Sequence, residues 1–224
     1  KRACAGGGGE LVEDVFGLEK DGAWRIRQER LLTLVNILFK DNQFGPSKGD
    51  EAMAMYTKLK NAILFQDLFT YIKDEDYSII EDEVLRRKKI LDTTRVVPAN
   101  KVHPQLAKDF VLNLKKAGMS GIDLDEIAKI VEYQHAWVNG SSSPVEKAPE
   151  GIPDAAKWLV IINEYSAMIT NGFGDKRTPD QALEEIEKGK GTHFDSDKAD
   201  NFIRVVKEFN ETNPWEVFRH IVDI

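Results

Sequence analysis

Apolar positions recur at helical spacing along most of the chain. Leu31, Leu34, Val35 and Leu38 fall at i, i+3, i+4 and i+7, which places them on one stripe of a helix that begins near Trp24. Asn42 to Gly49, with Gly45 and Pro46, reads as a loop, and a second helix from Asp50 turns Met55, Leu59, Ala62 and Ile63 inward. Val96 to Asn100 breaks the pattern around Pro98. His103-Pro104 then reads as a helix start, because proline fits a first turn whose N–H groups have no helical partner anyway. Leu106, Phe110, Val111 and Leu114 face the core of that helix, and Gly118 and Gly121 end it. Asp123 and Glu126 have capping-box spacing ahead of Leu124, Ile127, Ile130 and Val131. Pro153 opens a segment that is apolar nearly all round, from Trp158 to Ile169, interrupted by Asn163 and Ser166. Thr178-Pro179-Asp180-Gln181 combines a Thr cap, a Pro at the first helical position and a Gln at the third. Asp195 caps a helix bearing Phe202, Val205, Val206 and Phe209, and Asn213 to Ile224 reads as a last short helix. No run alternates long enough to be a strand. The pattern predicts an all-α bundle of about eight or nine helices.

Composition narrows the function classes. The net charge of −7 disfavours a nucleic-acid surface, which needs many unopposed cations to displace counterions. No apolar run approaches the ~20 residues that span a bilayer, and no secretory segment is visible, so the expected compartment is the cytoplasm. The lone Cys4 has no partner for a disulfide or a thiolate cluster. Residues 1–22, with glycine at 6–9, read as a flexible linker or tag remnant, and 23–224 as a single helical domain. The chain opens on Lys1 instead of Met, as a piece of a longer protein or a tagged one would.

Three stretches carry candidate chemistry. Asp67 stands among Leu64, Phe65, Leu68 and Phe69. A carboxylate there is either ligated or paired, or it lies on the helix flank and pairs locally. Arg86, Arg87, Lys88 and Lys89 follow the acidic groups 74–76 and 81–83, a pattern of a solvated helix or of a phosphate contact. The third is 134–144, where an apolar helix runs through Gln134 and His135 into Asn139, Gly140, Ser141, Ser142, Ser143 and Pro144. A histidine at a helix end before a polar loop suits a metal ligand, yet Gln134, Ala136 and Asn139 surround it.

The order of these signals resembles the HD-GYP domain, an all-helical bacterial metal phosphodiesterase family that opens cyclic di-GMP. Its signature is an HD pair, a His-Pro helix start, HHE, a DGxGYP loop, an ADxxDAL helix, a Ser/Thr-Pro-Glu-Glu-Ala-Leu helix and a GTxFDP turn. Thr178-Pro179-Asp180-Gln181-Ala182-Leu183 and Gly191-Thr192-His193-Phe194-Asp195 are similar to the last two, and 139–144 is similar to the DGxGYP loop. His103-Pro104 and Gln66-Asp67 stand where the helix start and the HD pair would be.

The resemblance implies a ligand set that this chain largely lacks. Asp67, His103 and His135 are vestigial ligand positions. Ligands are lost at Gln66, Gln134 and Asn163, and the usual Lys is Thr70. Hydrolases of this kind hold two or three cations that acidify a bridging water and clamp phosphate oxygens, and neutral amides are weak ligands. The resemblance therefore implies a catalytically inactive signalling module, without cofactor, that engages a GGDEF or receiver domain through the loop 139–144. Two alternatives stay open. One is a non-hydrolysing cyclic di-GMP or nucleotide binder with phosphate contacts from Arg86, Arg87, Lys88, Lys89 and Arg95. The other is a one-metal enzyme at Asp67, His103 and His135. The oligomeric state is left open by the sequence.

Overall fold

The computed structural model describes residues 23–40, 48–66, 99–141, 151–170 and 176–212. The linker expected at 1–22, the acidic and basic runs at 74–89, Arg95, Ser142 to Pro144 and the helix expected at 213–224 lie outside them. The described residues form seven α-helices and one π turn, with no strand among them. In chain order the helices are α1 (Ala23–Val35), α2 (Gly49–Gln66), α3 (Ala99–Lys116), α4 (Leu124–Glu132), α5 (Asp154–Ile169), α6 (Pro179–Lys188) and α7 (Ser196–Thr212), and the π turn, Asn36–Lys40, follows α1. None of the described helices is long and apolar enough to cross a membrane.

Helix α5 is the axis of the bundle. It packs against α1, α2, α4, α6 and α7, and of its residues only Asp154, Lys157 and Glu164 escape burial. A helix surrounded by partners on every side must be apolar on every side, which is why its sequence shows no amphipathic stripe. Phe39 meets Trp158 edge to face at 5.2 Å, and Tyr165 meets Phe202 at 5.1 Å.

The capping residues act as their types suggest. The Asp123 carboxylate accepts from the Glu126 N–H at 3.0 Å. Thr178 and Gln181 form the reciprocal box, at 3.3 Å and 2.9 Å, with Pro179 at the first helical position. Asp195 accepts from the Lys198 N–H at 3.2 Å.

Two readings need correction. His103-Pro104 does not open α3. The helix begins a turn earlier at Ala99, within the segment read as a loop, and Pro104 lies inside it. A proline there forfeits one helical bond to the carbonyl four residues back. Its ring is buried. The stripe from Leu31 to Leu38 does not sit on one regular helix either, because the chain widens to a π turn at Asn36. Ile37, Leu38 and Phe39 are all buried there, a run of three that a 3.6-residue period does not place on one face.

The Tyr165 hydroxyl is buried and has no hydrogen-bond partner among the described residues. Burial pushes its ionisation up, and the Asp180 carboxylate adds to the shift. A buried donor without an acceptor costs roughly 1–3 kcal/mol. Tyr165→Phe removes that cost and keeps the ring packing on Phe202, so the variant is expected to match or exceed the parent in urea midpoint. A clear loss of stability would show that the hydroxyl has an acceptor.

Candidate functional site

The C-terminal end of α2 is buried, so its last carbonyls need donors that water cannot supply. Two glutamine side chains provide them. Gln28 of α1 donates Nε2 to the carbonyl of Ile63 at 3.1 Å and to that of Leu64 at 3.3 Å. Gln134, just past α4, donates Nε2 to the carbonyl of Gln66 at 2.8 Å.

The side chain of Gln66 closes a second contact with α5. Its Nε2 donates to Asn163 Oδ1 at 3.1 Å, while Asn163 Nδ2 donates to Gln66 Oε1 at 3.0 Å. The two amides form a reciprocal pair, each satisfying the other's donor and acceptor. Gln66, Gln134 and Asn163 are 1%, 0% and 4% exposed. Gln134 Oε1 remains without a partner among the described residues. Three helix regions distant in sequence are thus tied together by neutral amides at the positions where the family resemblance expects ligands.

Beside this cluster lies a histidine pair. His103 on α3 and His135 after α4 bring their Nε2 atoms to 3.0 Å, with the rings edge to face. One ring carries the hydrogen and the other offers its lone pair. The spacing itself is compatible with shared metal ligation, since two imidazoles bound at right angles with bonds of about 2.1 Å place their nitrogens about 3.0 Å apart. The rest of the donor set does not follow. Among the described residues no group of three His, Cys, Asp or Glu could hold an ion, and the neighbouring positions are amides already engaged with one another. The described donors do not fit a two-metal centre. Asp67 and Thr70 lie outside the described residues.

The loop after His135 is joined to the turn after α6. Val138 N–H donates to the carbonyl of His193 at 3.2 Å and Asn139 N–H to that of Thr192 at 3.1 Å. Trp137 stacks on His193 with ring centres 3.6 Å apart. The Asn139 side chain accepts from both N–H and Oγ of Ser141, at 2.9 Å and 2.8 Å, and Gly140 takes φ +78° to complete the turn. The structure therefore brings the start of the loop, residues 137–139, against the turn at 192–193, which sequence order had kept some fifty residues apart.

Glu164, next to Asn163, is half-buried. Burial pushes its carboxyl above the usual range, and the guanidinium groups of Arg27 and Arg177 draw it part of the way back. With the folded value raised, the native state holds the proton more readily than the unfolded chain. Its contribution is then fully present below the ordinary value of 4.5 and is lost as pH rises through the raised value. Glu164→Gln is accordingly expected to gain stability relative to the parent at neutral pH, with the gap narrowing near pH 4. Urea midpoints at the two pH values test this, and a gap that widens on acidification would reverse the sign.

Sequence reasoning named Gln66, Gln134 and Asn163 as losses. It missed that they are partners, and it missed Gln28 and the Trp137–His193 stack altogether. The available signal was three carboxamides, each set in an apolar helical context, since buried amides seldom stand alone.

A family model described as the HD domain matches residues 83–197. The matched span contains His103, Gln134, His135 and Asn163 and begins after Gln66-Asp67. The sequence matches none of the curated proteins compared with it.

Proposed function

Because the chain belongs to the HD domain family, whose superfamily is one of phosphohydrolases, we propose that it is a degenerate, catalytically inactive HD-GYP-like domain. Its proposed role is that of a protein-interaction or regulatory module in bacterial cyclic di-GMP signalling, with a GGDEF or receiver domain as partner. In this reading residues 23–224 are one helical domain and 1–22 a flexible linker or tag remnant. The observation that supports this reading is the reciprocal Gln66–Asn163 amide pair with Gln134 against it. A metal centre needs those positions to present open lone pairs or negative charge to a cation. Here Gln66 and Asn163 each spend a donor and an acceptor on the other.

Metal analysis of protein purified without chelator, together with a cyclic di-GMP hydrolysis assay, tests the inactive state. The expected result is sub-stoichiometric metal and no hydrolysis. Stoichiometric iron, manganese or zinc with hydrolysis would overturn it. The interaction role is tested by binding to cognate GGDEF and receiver domains, before and after residues 141–144 are replaced by glycine. Weakened binding supports the loop as the contact, and unchanged binding places the contact elsewhere. Heat on calorimetric titration with cyclic di-GMP would favour a nucleotide-binding role over the protein-interaction one.

A further inference from the structure

Away from the amide cluster, the described residues leave one side of α2 uncovered. Asp50, Met53, Ala54, Thr57, Lys58 and Asn61 recur at helical spacing along it and form one wall of a cleft of about 470 Å³. The opposite wall is Gly121 to Asp123 with Glu126 and Ile127, from the α3–α4 turn and the start of α4. Solvated helix faces are ordinarily rich in charge. Between Asp50 and Lys58 this one presents methionine, alanine and threonine, and Met53 is 50% exposed. Lys58 reaches across the cleft to Glu126 at 2.7 Å, which neutralises the cation. The carboxylates of Asp50 and Asp123 remain, so an apolar floor carries a net negative rim.

We propose that this cleft is a docking groove for a basic amphipathic helix of a partner protein. The stripe from Asp50 to Asn61 runs about 16 Å at 1.5 Å per residue, enough for about three turns of helix. A helix presenting apolar side chains at i, i+3, i+4 and i+7 places them against Met53, Ala54 and Ile122. Lysine or arginine on its flanks faces Asp50 and Asp123. The small side chains of Ala54 and Thr57 let the two helices approach closely. The proposal is independent of the metal-site reading, since none of the groove residues belongs to the amide cluster or the histidine pair.

The test uses the full chain and a capped Leu/Lys peptide of about three turns with apolar residues at helical spacing, with a Leu/Glu peptide of the same pattern as control. Amide shifts followed by NMR should change along 50–61 and 121–127 with the Leu/Lys peptide only. Ala54→Arg fills the groove and offsets part of its negative charge, and arginine keeps the helix propensity of an exposed position. It should weaken binding at least tenfold, and Met53→Ala should weaken it severalfold. No binding at high micromolar peptide overturns the proposal. Shifts spread over the acidic surface, or an affinity unchanged by Ala54→Arg, would overturn it by showing general charge attraction.

Discussion

Asn163→Leu is expected to destabilise the protein by about 3 kcal/mol, because it orphans both ends of the Gln66 amide in a site that water does not reach. For a chain of this size that corresponds to a fall of roughly 6–12 °C in Tm. Gln66→Met is expected to cost a similar amount by orphaning Asn163. The informative variant is the double one. With both amides gone no buried polar group of the pair is left unsatisfied, and two apolar side chains replace a hydrogen-bonded pair of similar length. The double variant should therefore lose less than the sum of the single changes, with a coupling of about 1–3 kcal/mol. Urea midpoints of the four proteins close the cycle. Additive losses would mean that the two amides do not act as a unit.

Gly189→Ala is expected to cost about 1–3 kcal/mol by overpacking. A Cβ on Gly189 would sit 2.7 Å from both Cδ2 and Cε2 of Phe194, well inside van der Waals contact. The ring is 5% exposed and cannot swing into solvent without uncovering apolar area. Its backbone is also held. Phe194 N–H donates to the Gly189 carbonyl at 3.1 Å, and the Phe194 carbonyl accepts from Gly191 N–H at 2.8 Å. The same Gly189 carbonyl accepts from the His193 N–H at 2.9 Å and from Thr192 Oγ1 at 3.0 Å. Strain at Gly189 therefore reaches His193 and its stack on Trp137. The expected readout is a lower urea midpoint together with altered tryptophan fluorescence. Phe194→Leu in the Gly189→Ala background, which removes the obstructing ring edge, should recover part of the loss. Equal stability of Gly189→Ala and the parent would show that the ring has room to move.

The ends of the helices were the most legible part of the chain. Asp123, Thr178 and Asp195 cap from their own side chains within three residues, so the interaction is local and the spacing alone reveals it. Pro104 is less legible for the converse reason. A proline tells of an absent N–H, but whether that absence starts a helix or is carried inside one depends on what its ring packs against. The π turn at Asn36 is also non-local, because Ile37 and Phe39 become buried together only when the chain departs from the regular period. In the candidate site, the residue types at 66, 134 and 163 were readable as poor ligands, while their mutual bonding depends on contacts 97 and 68 residues apart.

By itself the sequence determined an all-helical chain, its cap positions and an apolar central helix, because each of these rests on period, spacing or a residue's own backbone preference. Tertiary structure alone decided that Gln66 and Asn163 face one another, that Gln28 and Gln134 close the end of α2, that His103 meets His135, and that the loop after His135 is pinned to the turn at 192–193. Hydrogen bonding is directional and short-ranged, and a buried amide must find its partner wherever packing brings one. Whether Gln66, Gln134 and Asn163 stand apart or are joined by hydrogen bonds is therefore a property of the packed bundle, which no single helix carries.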